Sequence, residues 1–433
     1  MTTSRSVRWF HRLVDADPEA EAGFGGSEQV AAGGLRLIAA NALQSAGDQV
    51  VNAKTVLSWL FSVLGAPAAL VALLVPIRES GSMLPQAALT PWVLRAPRRT
   101  RVWMLGAAVQ GLSVLAMAGV ALLLTGTLAG GAVLLALAVF ATGRALCSMA
   151  SKDVQGRAVP KGQRGQVTGI ATAVSGVIAV GVGVLLHLLG PDLSAGALAG
   201  FLAVAALTWI VGVVVYAGIP EDPPSAPSDR KHDRWLRDLV DLVRQDAPFR
   251  HFVAARALLL VSALAPPFLV TLAVAQGNSV LAGLGSFVIA QGVASVLGGR
   301  IFGRWSDRSS RLVMTHGSLV ASLAVLGVAA VVLLDRPGLT VPVLVVGYFV
   351  ISLVHVGVRV ARKTYVIDMA EGDQRTRYVA VANTAMGVIL LVTGAVSAGL
   401  ATFGEVPALV FLAALGLAGA AVSWRLPEVS RTA

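Results

Sequence analysis

Long apolar segments recur along the chain, separated by short stretches rich in glycine, proline and charged residues. Each segment has about 20 residues or more, the length that an α-helix needs to cross the hydrocarbon core of a bilayer. Strands of a membrane barrel would instead alternate in polarity over ~10 residues. The pattern predicts twelve transmembrane helices, at residues 36–58, 66–93, 102–125, 130–151, 166–189, 195–218, 252–275, 280–302, 312–334, 340–361, 378–402 and 406–424.

Polar residues interrupt the apolar pattern of the first two spans. The first span contains Asn41, Ser45, Asp48 and Asn52, and the second contains Arg78 and Glu79. The spacings of four, three and four in the first span place its polar residues on one helix face. Ionised groups at membrane depth are costly, so they are expected to face the protein interior or a water-filled path. The first two spans therefore predict a functional site.

The composition agrees with a membrane protein. Of 433 residues, 56% are hydrophobic and 13% are charged, whereas soluble domains have about 25% charged residues. A net charge of +11 could indicate a nucleic-acid partner, but that function needs a soluble basic face and little soluble chain is left to form one. Cys147 is the single cysteine, so no intrachain disulfide can form.

Basic residues concentrate in the loops after the even-numbered spans. These loops contain Arg95, Arg98, Arg99, Arg101, Lys152, Arg157, Lys161, Arg164, Arg300, Arg304, Arg308, Arg311, Arg362, Lys363, Arg375 and Arg377. The loops after odd-numbered spans contain only Arg336. Because loops rich in Lys and Arg stay in the cytoplasm, both termini are predicted to be cytoplasmic. We expect a bacterial inner or plasma membrane.

The predicted spans divide the chain into five parts. A cytoplasmic tail (1–34) precedes a six-helix half (35–219), and a linker (220–251) leads to a second six-helix half (252–424) and a short cytoplasmic tail (425–433). The linker segment RKHDRWLRDLVDLVRQD predicts an amphipathic helix. It could lie on the anionic inner leaflet or simply connect the halves. The first tail could be a short amphipathic turn or disordered.

The two halves repeat at a shift of 211 residues. SKDVQGRAVPKGQRGQVTGIATAVSGVIAVGVG, from Ser151, aligns with RKTYVIDMAEGDQRTRYVAVANTAMGVILLVTG, from Arg362. Matches in register include Lys152 with Lys363, Gln163-Arg164 with Gln374-Arg375, Gly176 with Gly387 and Gly183 with Gly394. Parallel six-span repeats are one architecture of secondary transporters.

The segment GRIFGRWSDRSSRLV, between the eighth and ninth spans, resembles the cytoplasmic loop signature of the major facilitator superfamily. Gly303, Asp307, Arg308 and Arg311 stand at the matching positions. The resemblance implies an all-α membrane fold of two six-helix pseudo-repeat halves around a central cavity. It also implies a gating latch, in which the acid and the arginines pair when the inner gate is shut. The equivalent loop of the first half departs from the signature, with Pro97 near the position of the acid.

A second motif of the fourth span resembles the same family. Gly143-Arg144-Ala145-Leu146-Cys147-Ser148 is similar to Arg-x-x-Gln-Gly, with Cys147 and Ser148 in the last two places. In relatives this arginine is tied to proton transfer, so the resemblance implies that role for Arg144. The fifth span lacks the Gly-Pro motif of many antiporters, which leaves the direction of transport open.

The charges of the first two spans are predicted to meet near the bilayer midplane. Asp48 lies about 12 residues from the cytoplasmic end of its span, and Arg78 and Glu79 lie about 14 to 15 residues from theirs, so all are roughly 18–23 Å deep. Two carboxylates that share arginines can differ in pKa, as a reversible proton site requires. Asp48 or Glu79 would then carry the proton. The alternative is a static ion pair that fixes helix register. Lys54 could pair with Glu79 or extend to the outer surface.

The second half has fewer polar residues within its spans. His355 aligns with Arg144 in the repeat and is interpreted as a packing residue, and Pro266-Pro267 is predicted to break the seventh span. Enzyme motifs, a metal cluster and a nucleotide loop are missing from the sequence, so neither catalysis nor a cofactor is predicted. The predicted function is proton-coupled secondary transport of a small polar or charged solute. The alternative is a non-transporting sensor or assembly protein with the same fold.

Overall fold

The computed structural model describes residues 4–15, 17–51, 56–66, 68–189, 194–221, 235–275, 284–334, 337–401 and 403–430, and the regular elements among them are helices. The helices are α1 (Arg5–Leu13), α2 (Pro18–Ala22), α3 (Ser27–Val50), α4 (Val56–Val63), α5 (Ala68–Met83), α6 (Gln86–Arg95), α7 (Arg99–Leu123), α8 (Gly126–Ala158), α9 (Arg164–Leu189), α10 (Ala195–Ala217), α11 (Trp235–Gln245), α12 (Ala247–Leu258), α13 (Val261–Ala275), α14 (Leu284–Leu333), α15 (Pro337–Met369), α16 (Gly372–Ala401) and α17 (Glu405–Trp424).

Nine helical segments among the described residues are long and apolar enough to cross a membrane. One of them, in α14, joins two predicted spans at Ser309, whose φ of −165° and ψ of 96° are not helical. The first two predicted spans are each divided, into α3 with α4 and α5 with α6. Counted in this way, the helices account for the twelve predicted spans, and the predicted all-α membrane fold is confirmed.

Several helices extend beyond the apolar runs that predicted them. α3 begins at Ser27, before the predicted span, and α8 and α15 continue to Ala158 and Met369. Arg362 and Lys363, which the sequence places in a loop, are therefore helical residues. Charged ends of this kind carry no hydropathy signal, although they can continue a helix outside the hydrocarbon.

The break in the seventh span lies earlier than the sequence predicts. α12 ends at Leu258, and α13 runs through Pro266 and Pro267, so the prediction that these prolines break the span is wrong. A proline lacks an N–H group and clashes with the carbonyl four residues before it. That clash would fall at Ser262 and Ala263, inside α13, whereas the observed break is at Leu259, where ψ is 24°.

The chain folds into two compact units. Unit 1 comprises Met1–Pro160, Leu185–Val240 and Ala370–Gly387, and unit 2 comprises Lys161–Val184, Asp241–Met369 and Val388–Ala433. The units therefore differ from the two sequence halves at two places. The first part of α9 packs in unit 2, and the first part of α16 packs in unit 1.

Aromatic pairs lie in the core of unit 1. The rings of Trp103 (α7) and Tyr216 (α10) stack with centroids 3.9 Å apart, and Phe140 (α8) meets Trp209 (α10) edge to face at 5.5 Å. Such pairs add to the free energy of apolar burial. They fix α7, α8 and α10 around the site described below.

The N-terminal tail folds onto the start of α3. Ser4 caps α1, and Val7, Phe10 and Val14 are buried. The Phe10 ring occupies the space that a side chain at Gly34 would need, since a Cβ there would lie 2.3 Å from it. Trp9 stays exposed, with Arg12 over its ring at 5.7 Å. The described part of the tail is thus an ordered, amphipathic helical segment.

Candidate functional site

The predicted charges of α3 and α5 meet, and α8 contributes a third helix. Arg78 Nη2 donates to Asp48 Oδ1 at 3.3 Å and to the Asp48 carbonyl oxygen at 3.4 Å. Arg144 Nη1 donates to the other carboxylate oxygen, Oδ2. The Asp48 side chain is only 12% exposed. Its two oxygens therefore each hold a guanidinium from a different helix. Charge-assisted hydrogen bonds of this kind are stronger than neutral ones.

Arg78 is shared between two carboxylates. Its Nη1 lies 3.2 Å from Oε1 of Glu79, whose side chain is 40% exposed. The four residues Asp48, Arg78, Glu79 and Arg144 are called the charge cluster below. With two acids and two bases, the cluster is neutral overall when all four are ionised. Asp48 forms its buried end, and Glu79 forms its exposed end.

One donor of the charge cluster remains unused within the described part of the chain. Arg78 Nε is buried there without a hydrogen-bond partner, and such a group costs free energy unless water or a ligand satisfies it. Cys147 lies one turn after Arg144, accepts from Gln110 Nε2 at 3.2 Å and donates to the Trp103 carbonyl at 3.3 Å. The thiol thus belongs to helix packing at the back of Arg144.

One described residue of the predicted site lies apart from the charge cluster. Asn41 is on α3, seven residues before Asp48, which corresponds to roughly 10 Å along the helix axis. Asn52 and Lys54 fall outside the described residues, so their predicted roles remain predictions.

The predicted latch is arranged around a helix N-terminus. The two carboxylate oxygens of Asp307 accept from the backbone N–H groups of Gly165 at 2.6 Å and Gln166 at 2.8 Å. These residues lie in the first turn of α9, where the helix dipole and unpaired N–H groups favour an anion. Arg308 is exposed, and Arg311 lies 3.8 Å from Glu428 and 5.9 Å from the Trp424 ring. Asp307 therefore contacts α9, whereas Arg311 contacts the C-terminal tail.

Glycines let α9 approach α14 closely beside Asp307. A Cβ on Gly169 would lie 2.1 Å from the Gly299 carbonyl oxygen, and one on Gly165 would lie 2.5 Å from that of Gly303. Small residues at spacings of four permit such backbone contact between membrane helices. We call this surface the glycine seam; it continues to Gly176, where a Cβ would lie 2.6 Å from the Gly292 carbonyl oxygen.

A second buried ion network in unit 1 was missed by the sequence reasoning. Asp153 of α8 is fully buried and lies 3.2 Å from Arg99 Nε, 3.2 Å from Arg157 Nη2 and 3.4 Å from Arg375 Nη1. Arg99 also reaches Asp373 at 2.7 Å. In the sequence, Asp153 is one acid among many basic residues. The positive-inside rule already explained those basic residues, so no ion network was predicted.

A related pair lies in unit 2. Arg164 Nη1 donates to Asp368 Oδ1 at 2.8 Å, and both side chains are at most 3% exposed. Arg164 and Arg375 are equivalent in the repeat. Each therefore makes a buried contact at the start of α9 or α16, with an acid from the other half of the sequence.

One glutamate follows the last helix of each half, and each of the two accepts hydrogen bonds at the end or the kink of another helix. Glu221 accepts from the Arg99 N–H at 2.7 Å and from Thr100 Oγ1 at 2.7 Å. Glu428 accepts from Ser309 Oγ at the kink of α14. Both follow a proline, as Pro220-Glu221 and Pro427-Glu428. This repeated dipeptide could have identified them from the sequence.

The structure is similar to solved transporters along nearly its full length. The proton:xylose symporter XylE, bound to 6-bromo-6-deoxy-D-glucose, has a TM-score of 0.71 and 14% sequence identity, with 93% of this chain and 97% of XylE covered. A bacterial homologue of the iron transporter ferroportin in the outward-facing state has a TM-score of 0.69 and 15% identity, covering 90% and 98%. The human organic anion transporter MFSD10 (TETRAN) has a TM-score of 0.69 and 14% identity, covering 91% and 99%.

No family model and no curated protein sequence matches the chain. The likeness is therefore one of fold. XylE is a major facilitator superfamily protein by its description, and this chain has the fold of the major facilitator superfamily. The resemblance first seen in GRIFGRWSDRSSRLV is confirmed at that level.

Proposed function

We propose that the protein is a secondary active transporter that moves a small polar or charged solute by alternating access, with proton coupling through Asp48. The three structural neighbours are described as a proton:xylose symporter, a homologue of an iron transporter and an organic anion transporter. They differ in solute, so they support membrane transport and leave the solute open.

The observation that carries the proposal is the placement of Asp48 between two arginines of different helices. A proton on Asp48 would neutralise the carboxylate and weaken both ion pairs at once. Arg78 and Arg144 would then be available to a solute, and α5 and α8 would no longer be tied to α3. Proton binding would thus favour a different helix arrangement, because it changes the contacts of one state more than those of the other.

Glu79 argues against a purely static ion pair. It is 40% exposed, shares Arg78 with Asp48, and could exchange protons or solute with the aqueous phase. Arg78 Nε, which has no partner among the described residues, provides a donor beside it. A neutral cluster of two acids and two bases favours a zwitterionic or polar solute, or a charged one that replaces a partner.

The test uses the full chain reconstituted in proteoliposomes with an imposed pH gradient. Uptake is measured for a labelled panel that contains a zwitterionic amino acid, a hexose, an organic anion and an organic cation. We expect the wild type to accumulate at least one of them only when the gradient is present. Asp48→Asn should lose accumulation but keep exchange of labelled for unlabelled solute, because exchange needs no net proton movement.

Asp241→Asn is the matched control, since it makes the same chemical change on the exposed face of α11. It should behave as the wild type does. Gradient-driven accumulation by Asp48→Asn would show that the coupling residue is wrong. If the wild type neither accumulates nor exchanges a solute of the panel, a non-transporting membrane protein becomes the better interpretation.

A further inference from the structure

Helix α1 is held against the start of α3 by its apolar face. The buried side chains of this face are those of Val7, Phe10 and Val14. The Phe10 ring fills the space at Gly34 of α3, where a Cβ would lie 2.3 Å from it. His11 adds a polar contact with α2, because its Nε2 lies 3.1 Å from both carboxylate oxygens of the buried Glu21. One side of α1 is therefore fully occupied by the protein itself.

The contact with α3 places α1 at the edge of the predicted first span. Gly34 stands two residues before Arg36, where that span begins. The neighbouring Gly33 lies at the end of α8, since a Cβ there would be 3.3 Å from the Cβ of Ala158, and 3.9 Å from Pro220, which follows α10. One span begins and two others finish at this level. Because the headgroup regions directly flank the hydrocarbon core, α1 lies at the depth of the lipid headgroups.

The opposite face of α1 is basic and exposed. Its exposed residues, called the basic face below, are Arg5, Arg8, Trp9 and Arg12. Their spacings of three, one and three confine them to about 100° of the helix surface. This arc is centred roughly 180° from the buried apolar side chains. The sequence of α1 contains no Asp or Glu, so the basic face has a single sign of charge.

The acids of the tail do not neutralise the basic face. All of them come after α1 in the sequence, and two have other partners. Glu21 lies against His11, and the Asp17 side chain caps α2 by accepting from the N–H of Ala20 at 3.0 Å. Among the described residues, no carboxylate is paired with a guanidinium group of α1. About three positive charges are therefore directed away from the protein.

Trp9 favours lipid over water as the neighbour of the basic face. Its side chain is 52% exposed, and the guanidinium group of Arg12 lies 5.7 Å from the centroid of its ring. Tryptophan is enriched where membrane and water meet, because its ring is apolar and its N–H is polar. Arginines at the same level lie within the distance over which a charged membrane surface acts.

We propose that the basic face of α1 is a docking surface for anionic lipid headgroups. Guanidinium groups donate charge-assisted hydrogen bonds to phosphate oxygens, and the Trp9 ring lies among the headgroups beside them. The contact anchors the N-terminal tail, and with it the start of α3, to the membrane surface. It concerns the tail alone and does not depend on the proposed transport function.

The experiment measures hydrogen exchange of the backbone amides of residues 5–14 in the full chain, reconstituted in nanodiscs. Discs of phosphatidylcholine are compared with discs that also contain phosphatidylglycerol. These amides exchange when α1 opens locally, and a lipid that binds the folded helix opposes that opening. We expect phosphatidylglycerol to slow their exchange by on the order of tenfold or more. High salt should remove the effect, because it screens the charges.

Two triple variants assign the effect to the basic face. The first is Arg5→Gln/Arg8→Gln/Arg12→Gln, which should lose the response to phosphatidylglycerol. In phosphatidylcholine discs it should exchange as the wild type does, because the three side chains are exposed and the buried face of α1 is unchanged. The matched control removes the same charge from exposed positions around the turn between α6 and α7 of unit 1, as Arg95→Gln/Arg98→Gln/Arg101→Gln. It should keep the full response in residues 5–14.

Three results would overturn the proposal. Exchange of residues 5–14 that is equal in the two kinds of disc would show that anionic lipid does not bind α1. An equal response in the wild type and in both triple variants would show that the basic face is not the docking surface. If soluble polyglutamate slows exchange in phosphatidylcholine discs while phosphatidylglycerol has no effect, the partner is an acidic polypeptide and not a membrane.

Discussion

Arg375 donates from Nη1 to Oδ1 of Asp153 at 3.4 Å, and the two side chains are 3% and 0% exposed. The pair joins the start of α16 to α8, across the two halves of the sequence. Arg164 and Asp368 make the reciprocal connection between α9 and α15 at 2.8 Å. Each pair lies within one compact unit, the first in unit 1 and the second in unit 2, although its two partners come from different halves of the sequence.

The Arg164–Asp368 pair should be strongly coupled. Arg164→Gln or Asp368→Asn alone leaves a buried charge without its partner, and we expect a loss of about 3–5 kcal/mol in the free energy of unfolding. The double variant should lose much less than the sum of the single losses. Denaturant titration of all four proteins measures the difference. Strict additivity would show that the two side chains do not interact.

The charge cluster should show a similar coupling with a functional signature. In Asp48→Asn/Arg144→Gln, both partners of one ion pair are neutral, so unfolding should be less affected than by Asp48→Asn alone. We expect a coupling energy of roughly 1–3 kcal/mol, as is typical of contacting residues. If the double variant regains stability but still fails to accumulate solute with a pH gradient, coupling and stability are separate roles of Asp48.

The glycine seam should not tolerate a methyl group. Gly169→Ala places a Cβ 2.1 Å from the Gly299 carbonyl oxygen, and overpacking of this kind costs about 1–3 kcal/mol or more. Gly181→Ala on the same helix is the control, because no atom of the described residues lies within 4 Å of its Cβ. It should be neutral or stabilising by up to about 1 kcal/mol. Equal unfolding temperatures of the two variants would contradict close packing of α9 on α14.

Asp307 should act mainly as an acceptor for the first N–H groups of α9. Asp307→Ala removes both bonds and should cost about 1–2 kcal/mol, as the loss of a strong helix cap does. Asp307→Asn keeps one acceptor oxygen but loses the charge, so it should fall between the wild type and the alanine variant. Thermal unfolding compares the three. Unchanged stability of Asp307→Ala would contradict the capping role.

Hydropathy and residue counts along each span were enough to predict the positions of the helices and the depth of their charged residues. Apolar run lengths located the spans, and residue counts from the cytoplasmic ends placed Asp48 and Arg78 at one depth, where the structure joins them. Arg144 entered through the family resemblance alone. Distance along a helix can be read from a sequence because the rise per residue is constant.

The remaining contacts depend on partners that residue identity does not reveal. Asp307 binds backbone N–H groups, which every non-proline residue carries. Asp153 lies in a region whose basic residues were sufficiently explained by membrane topology, so its three arginines could not be distinguished from ordinary loop charges. Arg362 was assigned to a loop because charged residues end the apolar run there, although the helix itself continues.

The exchange of α9 and α16 between the two units has a consequence for biosynthesis. A chain that stopped after residue 219 would carry Asp153 without Arg375, and it would leave the glycine-lined face of α9 uncovered. The first six spans therefore lack the contacts that α14 and α16 supply to them in the folded chain. The halves, produced as separate polypeptides divided in the linker, would each depend on the other to reach a protease-resistant state.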